Sequence, residues 1–465
     1  MNSIFKFQNT CNEDRISSLP DSVLSQILSL LPTKFVVATS VLSHRWKNLW
    51  RSVTNLDFAD SLFFEPSFEY LNPNHKLGFM DYTDNVMINR DNSLNIDKFY
   101  VSCSGDCDVN RVNKWVNLAI KQNVMEMILE INLSETFNLP IETFACETLA
   151  ILKLNHRILV DIVPSFVYLP SLKILHFHGV EFMQYEYVEM MVKGCPLLEE
   201  LILNRCKWIH GCVLRIVGLS FLKKLTIDWY GMTVSDRENE VVVDVPSLEY
   251  LDLKDYTSEN FTMLNLGSIV DANIDVSQKI DRFVSFSEYG NRIFALLWAI
   301  ATVRSLSLSR DTMAVSFRLN LALSYAYKNI FPTFANLTRL DLCVDGWSGW
   351  SVLPGLLASS PILETLIFSE GLVQNFHFHL GVFRFNWSPP ENVPSCLLFH
   401  LKEIEIKDFR GLPDELILIK YLLKNALVLE KMLIECHLLE DDDNITEKLQ
   451  KFGKGSDSCH IVLVF

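Results

Sequence analysis

Two histidine pairs, His176/His178 and His377/His379, stand two residues apart in alternating apolar surroundings. On a β-strand that spacing puts both imidazoles on one face, where they could offer two nitrogens to a metal. A metal site needs a third and usually a fourth ligand, so both pairs are read as ordinary strand residues. Cys206, His210 and Cys212 come closer to a ligand set, but Cys206 falls at the turn that follows a strand pattern. Cys103 and Cys107, in CSGDC, lack the two-residue spacing of redox and zinc motifs, and Asp106 and Asp108 would not lower a thiol pKa, so a flexible turn is expected. The FGKGS string at Phe452 has a Lys among glycines without the spacing of a phosphate loop, and reads as the loop before a last strand. Glu199 and Glu200 alternate across a strand start, and Asp441 to Asp443 form a solvated acidic run. No Ser, His and acid arrangement carries a recognisable motif. The expectation is a non-catalytic chain without metal or cofactor, whose chemistry is that of binding.

Composition narrows what is bound. The 465 residues are 49% hydrophobic, enough for a large core, and the formal charge is -15. Such a balance argues against a general nucleic-acid binder, which needs a phosphate-neutralising surface; the clustered cations near a terminus are Lys34, Arg45, Lys47 and Arg51. The first fifteen residues lack a signal-type apolar region, and the most hydrophobic stretch, Ile293 to Val303, is too short for a bilayer, so no membrane partner is expected. Eleven cysteines at irregular spacing fit a reducing compartment, in which the five sequons beginning at Asn132, Asn260, Asn336, Asn386 and Asn444 stay unmodified. No long basic run marks a nuclear address, so cytoplasm, nucleus or both are expected.

Binding needs elements to carry it. Residues 16–50, ISSLPDSVLSQILSLLPTKFVVATSVLSHRWKNLW, divide into three short helical segments. Pro20 and Asp21 suit a first helical turn, Pro32 ends that helix, and Thr33 and Ser43 are placed to cap a second and a third. Val23, Leu24, Ile27, Leu28 and Leu31 recur at helical spacing. So small a core is marginal without a partner to cover its leftover apolar face. The string resembles the plant F-box: Leu-Pro, a leucine stripe, Leu-Pro-Thr-Lys, Leu-Ser-x-Arg-Trp and Leu-Trp, with His44 where the family commonly has Lys. The resemblance implies that Leu19, Pro20, Leu24, Ile27, Leu28 and Leu31 enter the groove of a Skp-family adaptor, with Pro32, Val41 and Trp46 completing or supporting the contact face.

From about residue 90 an L-x-x-L-x-L pattern recurs, with anchors at Ile96, Val124, Leu149, Leu172, Leu198, Leu222, Leu248, Ile269, Val303, Leu337, Leu363, Leu401 and Leu429. Most intervals fall near a leucine-rich period of roughly 20 to 29 residues. Each unit is expected to supply one short strand and a return segment of helical character, such as Tyr185 to Lys193 or Arg292 to Thr302, giving a right-handed α/β solenoid with a curved parallel sheet and convex helices. Trp229, Tyr230, Tyr256, Trp347 and Trp350 lie just past strands and are candidate anchors for a target, against the plainer reading of packing between turns.

From Trp387 the chain reads WSPPENVPSCLLFHLKEIEIKDFRG and continues through YLLKNALVLEKMLIE to CHIVLVF, which resembles the FBD domain that follows plant F-box and leucine-rich-repeat segments. The expected organisation is an F-box over 14–58, a repeat solenoid over 59–386 and a terminal α/β FBD cap over 387–465. The resemblance implies a receptor subunit of a ubiquitin ligase, joined through its adaptor to cullin and RING subunits and presenting its repeats to a target protein. A small-molecule co-receptor and a plain interaction scaffold are the alternatives.

Overall fold

The computed structural model describes residues 16, 18–63, 73–105, 107–208, 213–229, 239–255, 258–276, 286–313, 331–344, 349–372, 389–437 and 447–465. The chain divides into two compact units, Met1–Leu159 and Val160–Phe465.

In the first unit, Pro20 and Pro32 stand in extended backbone immediately before helices α1 (Asp21–Leu28) and α2 (Thr33–Ala38). Proline cannot donate a helical N–H, and at these positions it has none to lose. The third segment differs from expectation: α2 runs into a 3₁₀ turn over Thr39–Val41, and Trp46–Ser52 is also 3₁₀ rather than α-helical. Thr33 does not cap α2; its hydroxyl accepts the N–H of Asp57 at 2.7 Å, tying the helix to the strand that follows. Leu24, Leu28, Val36, Trp46, Leu49 and Val53 form the core beneath these turns.

The same unit holds a parallel sheet of β1 (Asn55–Ala59), β2 (Lys98–Gly105), β3 (Glu126–Leu133) and β4 (Ile151–His156), in register from Asn55↔Lys98 through Lys98↔Glu126 to Glu126↔Ile151. Helices α3 (Pro73–Asn89) and α4 (Val109–Lys121) make the first two crossovers. Asp108 caps α4 by accepting the Asn110 N–H at 2.8 Å, and Arg111 bridges Asp81 and Asp84 of α3 at 2.7 and 2.6 Å. Strand β1 begins inside the stretch assigned to the F-box pattern and ends one residue past it, so the small helical module is continuous with the sheet.

The second unit repeats the plan eleven times: β5 (Ile174–His178), β6 (Glu200–Asn204), β7 (Lys224–Asp228), β8 (Tyr250–Asp255), β9 (Asp271–Val276), β10 (Ser305–Leu308), β11 (Arg339–Leu342), β12 (Thr365–Phe368), β13 (Glu403–Phe409), β14 (Lys431–Cys436) and β15 (His460–Val464), each paired in parallel with the next. Every one of the thirteen anchors, across both units, lies two residues before the first residue of a strand and is at most 2% exposed. The apolar side chain there closes the turn under its own strand, and the alternating positions that follow face inward.

The return segments are helical at α5 (Glu186–Lys193), α6 (Phe286–Ala299), α7 (Gly349–Ser359), α8 (Ser395–Phe399) and α9 (Pro413–Asn425). Between β6 and β9 they are not: Val213–Val217, Asn239–Asp244 and Ser258–Leu264 pair as a second parallel sheet, with Val213 opposite Glu240 and Asn239 opposite Ser258. Spacing alone does not decide this, since α5 and α7 each fit between anchors 26 residues apart; the β-branched runs VLRIV and EVVVD favour extended backbone. Among the described residues no helix is long and apolar enough to cross a membrane.

Candidate adaptor-docking face

The eight residues of α1 carry two apolar pairs at i, i+4 spacing, Leu24/Leu28 within the helix and Ile27/Leu31 running off its end. The first pair faces inward: Leu24 and Leu28 are buried, Leu28 at 2% exposure, as is Trp46. These three therefore hold the module together and do not present themselves to a partner's groove, a correction to the expected contact set for Leu24 and Leu28. Trp46 supports the face from below. Pro20, Ile27, Leu31 and Val41 are exposed, and Leu19 and Pro32 are half-buried.

Around this subset the structure adds Leu30, Phe35 and Leu42, all exposed; Leu30 reaches 83% and Val41 85%. Ile27, Leu30 and Leu31 follow i, i+3, i+4 spacing across the end of α1, and Phe35 opens the next helix. Six large apolar side chains, Ile27, Leu30, Leu31, Phe35, Val41 and Leu42, are thus left exposed on this short stretch. Leu30 and Phe35 lie off the helical stripe of Val23, Leu24, Ile27, Leu28 and Leu31, of which Leu24 and Leu28 are core and Ile27 and Leu31 exposed.

Polar contacts fix the frame. Arg45 donates from Nε to Asp21 Oδ1 at 3.0 Å and from Nη2 to the same oxygen at 2.7 Å, and also to the Leu19 carbonyl, clamping the turn that carries Pro20. Lys34 donates to the Leu62 carbonyl at 2.6 Å and lies over the Phe63 ring, while Tyr82 of α3 donates to the Thr33 carbonyl at 2.9 Å. The open side of the module is thus held on a rigid base.

The F-box domain family matches residues 16–58. The LRR repeats of FBD-associated F-box protein At5g56370 match 112–270, and the FBD family matches 389–434. F-box/LRR-repeat protein At4g14103 of Arabidopsis thaliana is 33% identical over 396 residues, covering 83% of this chain and 99% of that protein. F-box/FBD/LRR-repeat protein At5g22660 of the same plant is 31% identical over 470 residues, covering 97% of each. The chain belongs to the plant F-box/FBD/LRR-repeat family.

In this F-box/FBD/LRR-repeat chain the expected target anchors fare differently from the docking face. Trp229 is fully buried, its ring edge-on to Trp208 at 5.3 Å, and Trp208 stacks on Phe182 at 5.5 Å. It is part of an aromatic cluster inside the second unit and not an exposed anchor; its backbone N–H donates to the Lys254 carbonyl of β8 at 2.8 Å, continuing the strand ladder. Tyr230, Tyr256 and Trp347 lie outside the described residues, as does the side chain of Trp350.

His176 and His178 share one strand face as expected, and His176 Nε2 meets Glu200 Oε1 at 3.0 Å. Among the described residues no group of three or more His, Cys, Asp or Glu could hold a metal. His210, Cys212, His377, His379 and Asp441–Asp443 lie outside them. Cys103 is not in a flexible turn: it is a buried residue of β2 beside buried Cys107, and their mutual hydrogen bond, followed by burial, pushes its thiol pKa up. Burial likewise raises the Cys195 thiol to about 12 and Cys206 further. These thiols stay protonated and act as small apolar core groups.

Proposed function

We propose that this protein is the target-recognition subunit of an SCF-type cullin–RING ubiquitin ligase, docking on a Skp-family adaptor through its F-box and offering its repeats to a protein target. The observation that carries the reading is the uncovered apolar face of Ile27, Leu30, Leu31, Phe35, Val41 and Leu42 on a base clamped by Arg45. Helix-and-turn apolar anchors entering a groove are a recurrent mode of recognition, and each anchor fully buried contributes ~1.5 to 3 kcal/mol before association costs. Chemistry on ubiquitin belongs to other subunits in this scheme, and the F-box chain acts by positioning.

Calorimetry of the full chain against a plant Skp-family adaptor tests it. The informative variant is Leu31→Asp with Phe35→Asp, because both side chains are exposed and their loss leaves the module's core intact. Affinity is expected to fall by at least about a hundredfold, roughly 3 kcal/mol. Leu28→Asp is unsuitable as the probe, since a carboxylate placed in the core unfolds the module itself. Equal binding of the wild type and the surface variant would dismiss this face as the docking site, and a folded wild type that ignores the adaptor would leave a scaffold.

A further inference from the structure

Helix α9 of the second unit is apolar on two sides. Leu418, Ile419, Leu422 and Leu423 are buried beneath the sheet, as its place in the FBD segment requires. Pro413, Leu416, Ile417 and Lys420 follow i, i+3, i+4, i+7 spacing on the other side, where they line a groove of about 430 Å³ with Lys448, Lys451 and Phe452. Ile417 is 51% exposed although it sits in the groove wall. The floor is therefore hydrocarbon, and three lysines, Lys420, Lys448 and Lys451, are among the residues that line it.

We propose that this groove is a docking site for an acidic peptide segment of a partner protein, one that seats a bulky apolar side chain among Leu416, Ile417 and Phe452 and sets flanking carboxylates against Lys420, Lys448 and Lys451. Charge selects the partner's sign. The chain as a whole carries -15, yet the groove collects three cations. Lys451 pairs with Glu447 at 2.6 Å, an exposed i, i+4 contact that a partner's carboxylate can displace at little cost, and Lys420 and Lys448 make no ion pair among the described residues.

The apolar floor selects the partner's class. A nucleic-acid backbone or free phosphate has no use for hydrocarbon and is repelled by the rest of the chain. An anionic membrane normally needs a cluster of about four to eight basic residues, more than the groove supplies. A peptide bringing both an apolar side chain and carboxylates uses every group present. This site is separate from the F-box face and does not depend on the adaptor.

The test is fluorescence anisotropy of the full chain with a labelled twelve-residue glutamate-rich peptide carrying two leucines one helical turn apart, beside a peptide with serines in their place. The leucine peptide is expected to bind with Kd on the order of 10 μM at about 50 mM salt, weakening about tenfold by about 300 mM. The serine peptide should bind at least about tenfold more weakly, and so should the leucine peptide to K420E/K448E and to Ile417→Asp. The peptide pair is read on the wild-type chain, so the idea can fail without any variant having to fold. Equal binding of both peptides, unchanged binding by the charge-reversed chain, no binding at about 1 mM, or capture by vesicles of about 30% phosphatidylserine in preference to peptide would each overturn it.

Discussion

Glu415 is the side chain whose burial is hardest to accommodate. It occupies the first turn of α9, where its Oε2 accepts the N–H groups of Leu412 at 2.8 Å and Arg410 at 3.2 Å, while Oε1 is buried without a hydrogen-bond partner among the described residues. Burial pushes the carboxyl up to about 7, against the smaller lowering influence of those N–H groups and of Arg410, with Asp408 adding to the rise. A carboxyl whose folded-state pKa lies above its unfolded value binds more protons when folded. Its fit is therefore best below about 4.5, and stability is lost as pH rises from there through about 7. Glu415→Gln keeps an oxygen for the two N–H groups and removes the charge. At pH 8 it is expected to stabilise the region by roughly 1 to 2 kcal/mol, with no gain at pH 4. Hydrogen exchange of the α9 amides, compared between variant and wild type at each pH, reads the difference, and equal protection at pH 8 would refute it. Glu415 stands two residues after Pro413, a spacing that suits a helical first turn, but its burial depends on packing that local spacing does not record.

At the scale of elements, strand positions were legible because each anchor must close a turn before its strand, a local constraint that spacing records. Return segments were less so: VLRIV pairs with EVVVD, and EVVVD in turn with Ser258–Leu264, contacts between repeats that no single repeat displays. The inward face of α1 was equally hidden, because Leu24/Leu28 and Ile27/Leu31 have the same spacing and only the packing of Val36, Trp46 and Leu49 decides between them. Another element contact follows from a missing side chain. Gly455, in the loop before β15, donates its N–H to the Leu423 carbonyl at 2.8 Å, and an added Cβ would lie 2.4 Å from the Lys424 carbonyl oxygen. The nearest atom is backbone and cannot swing aside, and Leu427 Cδ2 stands 3.0 Å from the same point. Gly455→Ala should lift the loop from the end of α9 and cost roughly 2 kcal/mol, seen as faster exchange in the amides of β15; unchanged exchange there would show that the loop relaxes freely.

For the molecule as a whole, the order of segments was readable because each carries its own pattern, whereas the target was not, because partners are chosen by outward positions that periodicity leaves free. The same periodicity has a mechanical consequence in the second unit. Each of its strands pairs only with its neighbours, and charged residues beside the strand starts pair across adjacent repeats, Lys173 with Glu199 at 2.8 Å and Lys223 with Glu249 at 3.2 Å. Such exposed pairs favour the correct neighbour and add little stability, so cohesion rests on the buried anchors. Leu222, fully buried before β7, is one of them. Leu222→Ala removes apolar contact and leaves a cavity, costing about 2 to 5 kcal/mol locally. In a structure stabilised by nearest-neighbour interfaces that cost should appear in β6, β7 and β8 and fade along the ladder, leaving β13 to β15 protected. Were the unit one cooperative core, every strand would lose protection together. Hydrogen exchange resolved by strand separates the two behaviours: loss confined to the three strands around the cavity supports additive repeats, and uniform loss rejects them.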